Sequence, residues 1–300
     1  MNSIIEISDL QYKYGNAEVL KGIDLKVPRN SIFGFLGPNG AGKTTTIKTI
    51  LGLLSIKKDC IMVFGRDIKS HRIEILSKIG SLVEEPSLYH HLSAYENLSY
   101  LTTLLSLPNK RISEVLQIVG LDNVKNKKVS KFSTGMKQRL GIAMTLLPDP
   151  ELIILDEPTT GLDPKGIIEI RKLIIRLKEE EGKTIFLSSH QLSEVEKLCT
   201  DVAIINKGKL IFQGSQEKFT NISGDRLLVR TPNVNKLVKI LKEKGDSIEV
   251  IGEDYVELPF VSDENTATFI QFMCSNGIEM YSVEKTRNTL EDMFIKLIEN

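Results

Sequence analysis

The 300-residue sequence sets 39 Lys and Arg against 39 Asp and Glu, with 41% apolar and 26% charged residues. That balance excludes a bulk positive field for nucleic acid or an anionic membrane surface, and the ordinary composition excludes extended disorder. Three hundred residues exceed the usual single domain, so one large domain and a smaller one are expected.

In chain order, short β-branched or apolar runs alternate with longer helical patterns, which predicts an α/β sheet with helices on its faces. Strands are predicted at 4–7, 31–36, 61–64, 79–83, 152–155, 184–187 and 202–205. Ser93 and Glu96 form a capping box ahead of a helix over 95–105. Pro164 takes a first-turn position before an amphipathic helix over 167–180, which Gly182 ends. The alternation stops near residue 215. Beyond it the pattern reads strand 226–230, helix 234–244, hairpin 247–261, helix 264–275 and strand 278–284. That βαββαβ order matches the ferredoxin-like arrangement, with a last helix expected over 290–298. The domains are therefore drawn at 1–218, with a helical subdomain near 86–148, and 219–300.

The longest apolar runs are strand-sized, and Glu6 and Asp9 interrupt the amino-terminal stretch, so neither a membrane span nor a signal peptide is expected. The chain is expected in the cytosol, with no direct insertion into lipid. Cys60, Cys199 and Cys274 lie far apart, in no CxxC pair, and are read as reduced and structural.

The chemistry starts at Gly37, Pro38, Asn39, Gly40, Ala41, Gly42, Lys43 and Thr44, which fit GxxxxGK[ST] between a predicted strand and a helix; Thr45 extends the run. Glycines let the backbone N–H groups and the helix N-terminus face phosphate oxygens. Lys43 then reaches the β- and γ-phosphates, and the Thr44 hydroxyl is placed to ligate Mg²⁺. Downstream, the apolar strand 152–155 ends in Asp156 and Glu157. Ligands of such sheets bind at the carboxyl ends of strands, so Asp156 can hold Mg²⁺ through water while Glu157 polarises the attacking water.

Read together, these residues resemble the nucleotide-binding domain of ATP-binding-cassette (ABC) proteins over residues 1 to about 220. The fold implied is a P-loop NTPase-type α/β domain, a mixed sheet core plus a helical subdomain, followed by the small ferredoxin-like α+β domain. The signature segment is Phe132, Ser133, Thr134, Gly135 and Met136, where the family has LSGGQ. Ser133 caps the next helix, and in the family this anion site closes on the γ-phosphate held by the other protomer. By position, Tyr14 resembles the aromatic residue that stacks on adenine. Gly161, Leu162 and Asp163 resemble the loop that signals across the dimer, and His190 resembles the histidine that contacts the γ-phosphate. Glu84 stands where the family usually has a glutamine near Mg²⁺ and water; a carboxylate there is a stronger Mg²⁺ ligand.

That glutamate, the run 89–92 (Tyr-His-His-Leu) and the tail 290–294 (Leu-Glu-Asp-Met-Phe) are similar to the lantibiotic-immunity and bacitracin-resistance exporters. The resemblance implies an ATPase that powers an exporter through a separately encoded membrane permease. It also implies ATP and Mg²⁺ as cofactors, an ATP-dependent homodimer, no nucleic-acid partner, and attachment to the inner membrane face through the permease. Two other readings stay open: the ATP-binding subunit of a general drug exporter, and a soluble regulatory cassette ATPase.

Overall fold

A computed structural model of the chain describes residues 3–56, 59–221, 225–244 and 248–287. It divides into two compact units, Met1–Ser215 and Gln216–Asn300.

The first unit opens with two long strands, β1 (Ser3–Tyr14) and β2 (Ala17–Pro28), then β3 (Ile32–Leu36) and helix α1 (Lys43–Ile50). Next come β4 (Ile61–Val63), β5 (Arg66–Asp67), the short α2 (Arg72–Leu76) and β6 (Ile79–Leu82). A helical segment holds α3 (Ala94–Leu104), α4 (Lys110–Ile118) and α5 (Thr134–Leu146). Completing the unit are β7 (Leu152–Asp156), α6 (Pro164–Glu179), β8 (Thr184–Ser189), α7 (Leu192–Leu198), β9 (Asp201–Asn206) and β10 (Lys209–Ser215).

Two sheets result, an antiparallel one in the order β2-β1-β4-β5 and a six-stranded one in the order β10-β9-β3-β8-β7-β6. Strands β3, β7 and β8 are buried along their whole length, because the parallel sheet is covered on both faces and so selects continuous apolar runs. At its centre Phe186 packs 5.6 Å from both Phe33 and Phe35, ring centroid to centroid. By contrast, β1 and β2 alternate buried and exposed residues, the mark of a sheet with one face in the core.

Within the parallel sheet β8 lies between β3 and β7, and Asp156 is paired in register with Ser188. Parallel pairing sends the loops after β3, β7, β8 and β6 to one edge, so the residues that follow these strands meet there despite wide separation in the chain.

The predicted caps form as expected. Ser93 N–H donates to Glu96 Oε2 at 2.7 Å and Glu96 N–H donates to Ser93 Oγ at 3.2 Å, while Pro164 starts α6. The sequence reading missed β2 and β10. β2 alternates Leu20, Ile23, Leu25 and Val27 into the core, but its lysines and glycine weaken a propensity reading. β1 also runs to Tyr14, well beyond 4–7, since pairing with β2 carries it out to the hairpin at Gly15.

The second unit comprises α8 (Gln216–Asn221), β11 (Asp225–Arg230), α9 (Val234–Lys244), β12 (Glu249–Ile251), β13 (Tyr255–Pro259), α10 (Asp263–Ser275) and β14 (Ser282–Arg287). Its antiparallel sheet has the order β12-β13-β11-β14. Leu227, Val229, Leu237, Leu241, Val256, Leu258, Met273 and Ile278 form its core. The last strand starts at Ser282, not at 278 as expected, because Ile278 plugs the core just after the left-handed Gly277 (φ 65°) that follows α10. The helix expected over 290–298 lies outside the described residues. Among the described residues, no helix is long and apolar enough to cross a membrane.

Replacing Phe186 by Ala removes the ring that packs against Phe33 and Phe35 at the sheet centre, and a loss of about 3–5 kcal/mol is expected. Urea unfolding followed by circular dichroism measures it, and a loss below about 1 kcal/mol would mean the cavity collapses freely.

Candidate active site

The loop 37–42 owes its path to glycine. A Cβ on Gly37 would stand 2.4 Å from the Ile205 carbonyl oxygen, and one on Gly42, at φ 113°, would stand 2.7 Å from Leu20 Cδ2. No side chain caps α1, so the N–H groups of Lys43, Thr44 and Thr45 have no intrahelical acceptor and open onto the loop. Together with the helix dipole, they favour an anion there. Lys43 is buried, and its Nζ donates to Gly37 O at 2.8 Å and Pro38 O at 3.3 Å. It also lies 3.3 Å from Glu157 Oε1.

Asp156 ends β7 at 8% exposure. A buried carboxylate needs donors, and helix α1 and strand β8 supply them. Thr44 Oγ donates to Oδ2 at 2.8 Å, and the Ser188 hydroxyl donates to Oδ1. The Ser188 oxygen in turn accepts the Glu157 N–H at 2.9 Å. Ser188 thus holds both acidic residues at once, a role that no motif in the sequence marks.

Glu157 adopts a left-handed backbone, φ 49°, a strain that tends to collect at functional sites. Its Oε2 accepts from Thr160 Oγ at 3.0 Å and lies 2.9 Å from His190 Nδ1. Burial opposes the charge, but the Thr160 hydrogen bond and the neighbouring Lys43 and His190 outweigh it, and the carboxyl is held below its ordinary value. Ionised, the carboxylate offers only lone pairs, so Nδ1 carries the proton and Nε2 is left for another partner. Glu157 can therefore act as a base whose contacts to Thr160, His190 and Lys43 are already fixed.

Glu84 lies just beyond β6 and is also left-handed, φ 65°. Its Oε1 pairs with Lys48 Nζ of α1 at 2.7 Å, with the Glu84 side chain largely exposed. The Lys48 hydrogen bond lowers the pKa of Glu84, and the same bond raises that of Lys48. Lys48 went unremarked in the sequence because nothing in its spacing announces a partner 36 residues away. Tyr14 is half exposed and stands edge-on to Tyr12, with centroids 5.0 Å apart.

Two further helix N-termini named from the sequence carry side-chain caps. Ser133 caps α5 by accepting from Met136 N–H at 3.2 Å, and Asp163 caps α6 by accepting from Gly166 N–H at 2.9 Å. They are close together, for a Cβ built on Gly135 would lie 3.7 Å from Gly166 Cα. Thr134 begins α5, and Gly161 is left-handed at φ 75°.

A hard divalent cation prefers oxygen ligands, and Thr44 and Asp156 present hydroxyl and carboxylate oxygens already in contact. That donor set fits Mg²⁺. Glu84 Oε1 is taken up by Lys48.

The family model described as "ABC transporter" matches residues 20–160. The bacitracin transport ATP-binding protein BcrA of Bacillus licheniformis is 41% identical over 99% of this chain and 98% of its own length. The lantibiotic transport ATP-binding protein SrtF of Streptococcus pyogenes is 43% identical over 73% of this chain and 94% of its own. Among solved structures, cbiO1 of Clostridium perfringens, part of the transporter complex cbiONQ, aligns with a TM-score of 0.69 and 29% identity. The alignment covers 82% of this chain and 98% of that one.

Ser188→Ala would leave the Glu157 N–H and one Asp156 oxygen without their partner, at a cost of about 1–3 kcal/mol. Chemical denaturation of the purified variant measures this, and an unchanged midpoint would show that solvent replaces the hydroxyl.

Proposed function

The chain belongs to the ABC transporter family and is an ATP-binding, ATP-hydrolysing subunit of it; from that premise we propose that it powers export of bacitracin- or lantibiotic-type peptide antibiotics through a separate membrane permease. The catalytic part of this reading is carried by one observation, the Glu157 carboxylate gathered between Lys43, Thr160 and His190 beside the Thr44–Asp156 pair. Support for the substrate class comes from the near full-length similarity to BcrA.

In this reading the N–H groups of the first turn of α1 and of residues 39–42 bind the phosphates of ATP. Lys43 turns from the Gly37 and Pro38 carbonyls onto the β- and γ-phosphate oxygens, as its three ammonium donors allow. Thr44 and Asp156 would hold Mg²⁺, with Glu84 as a further ligand; the cation would offset phosphate charge during transfer. Glu157 accepts the proton of the attacking water. His190, with Nδ1 bound to Glu157, directs Nε2 to the γ-phosphate, and Tyr14 stacks on the adenine.

One chain carries every element of a complete site, so two copies close on two ATP molecules. Each presents Ser133, Thr134, Gly135 and Asp163 to the nucleotide of the other. The γ-phosphate is what favours the closed pair, because it bridges both copies and hydrolysis removes the bridge. Beside Glu84, a groove of about 470 Å³ runs between β6 and the helical segment, lined in part by Val83, Glu85, Pro86, Leu101 and Met144. It offers the loop 84–92 and its surroundings as the contact for the permease, which would keep the chain at the inner membrane face. The second unit is an accessory domain in this scheme.

Glu157→Gln removes the base but keeps the side-chain volume. ATP turnover should fall by at least about a hundredfold, and the variant should elute as a dimer when ATP is present. Unchanged hydrolysis, or a monomer with ATP, would remove Glu157 from this role. For the physiological reading, tagged chain purified from its host's membranes should carry a membrane-spanning partner, and cells lacking the chain should become sensitive to bacitracin or lantibiotics. A spanning partner without that sensitivity would overturn the substrate class, and a ribosome or DNA partner would overturn transport itself.

A further inference from the structure

Helix α6 has ties on two sides. Toward α5, Arg139 Nη2 lies 3.4 Å from Glu169 Oε2, and Arg139 also donates to the Val119 and Gly120 carbonyls. Toward α7, Arg171 Nη2 donates to Glu194 Oε1 at 2.8 Å, with side chains only 20% and 11% exposed. This second pair is poorly built for stability. Among the described residues, Arg171 Nε and Glu194 Oε2 are buried without a hydrogen-bond partner, whereas a two-pronged arginine–carboxylate pair would satisfy both. A buried ion pair with idle polar atoms repays little of its desolvation.

Its position suggests another role. Glu194 is the third residue of α7, which begins two residues after His190. Between them the turn is held by Gln191 N–H donating to Ser189 Oγ at 2.9 Å, and Leu192 and Val195 of the helix are buried. A shift of α7 must therefore carry His190 with it. At its other end, α6 starts at Asp163, beside the Ser133 cap of α5.

We propose that the Arg171–Glu194 pair is a positioning link, through which the partner-facing starts of α5 and α6 set His190 against Glu157. The inference rests on the reading of His190 and Glu157 as groups at the reacting atoms. Neither Arg171 nor Glu194 touches the nucleotide. The link sets the geometry of hydrolysis and leaves ATP binding to the loop 37–42 and α1.

The test uses the full chain and measures ATP turnover, ATP affinity by a fluorescent analogue, and melting temperature. A misplacement of about 1 Å near reacting groups costs on the order of a hundredfold in rate. Arg171→Met and Glu194→Gln should each lower kcat at least roughly tenfold, with affinity within about twofold of the parent. The charge-swapped double variant, Arg171→Glu with Glu194→Arg, should recover most of the rate. In a His190→Ala background neither single substitution should slow turnover further, because the link acts through His190.

Parental kcat in both single variants, beside a slow His190→Ala, overturns the link alone. Losses that add to that of His190→Ala, or parallel losses of affinity and melting temperature with no recovery in the swap, overturn it as well by making the pair independent or merely structural. A His190→Ala variant that turns over at the parental rate overturns the underlying reading of the site, and the link with it.

Discussion

Two adjacent carboxylates at the end of a buried parallel strand need donors, and the first unit is organised around supplying them. Asp156 receives one from α1 through Thr44 and one from β8 through Ser188, while Glu157 receives Thr160, His190 and the Lys43 cation. The donors arrive from α1, from β8 and the turn after it, and from the turn after β7. The site therefore exists only when β3, β8 and β7 lie side by side in one register, and catalytic geometry is inseparable from sheet order. Left-handed Glu157 shows the local cost of the arrangement, a backbone strained so that its carboxylate turns back toward Lys43 and His190.

A second theme is the use of helix starts. Helix α1 is left uncapped, so its N–H groups remain available to an anion. By contrast α5 and α6 are capped by Ser133 and Asp163, which fixes their direction while leaving the neighbouring N–H groups close to the surface. The α5 and α6 starts lie side by side, Gly135 next to Gly166, so their dipoles act together on one patch. The departures Thr134 and Met136 leave the cap at Ser133 intact.

Glu84 is the residue with the most individual behaviour. A glutamine in its place would have no charge to share with Lys48, whereas the carboxylate forms a 2.7 Å ion pair that ties its loop to α1. Exposure limits what such a pair contributes to stability. Its interest is positional, because it stands between Val83 and Glu85, which line the groove beside α3 and α5, while its partner Lys48 lies on α1.

Much of this was legible in the chain itself. The run 37–44 with its flanking strand, the apolar strand closing on Asp156 and Glu157, the Ser93–Glu96 box and Pro164 are local patterns whose physics is complete within a few residues. Sequence alone determined that a phosphate-binding loop and an acidic strand end exist, and through resemblance that they belong to a cassette ATPase. It could not show that Ser188 bridges Asp156 and Glu157, that Lys48 holds Glu84, that Arg171 meets Glu194, or that Ala17–Pro28 is a strand opposite β1. Those facts depend on side-chain pairings 23 to 36 residues apart or on a partner strand whose lysines and glycine hide its alternation. Local propensity carries no information about which distant groups become neighbours; packing of the sheet decides that, because burying Asp156 forces the chain to bring its donors from elsewhere.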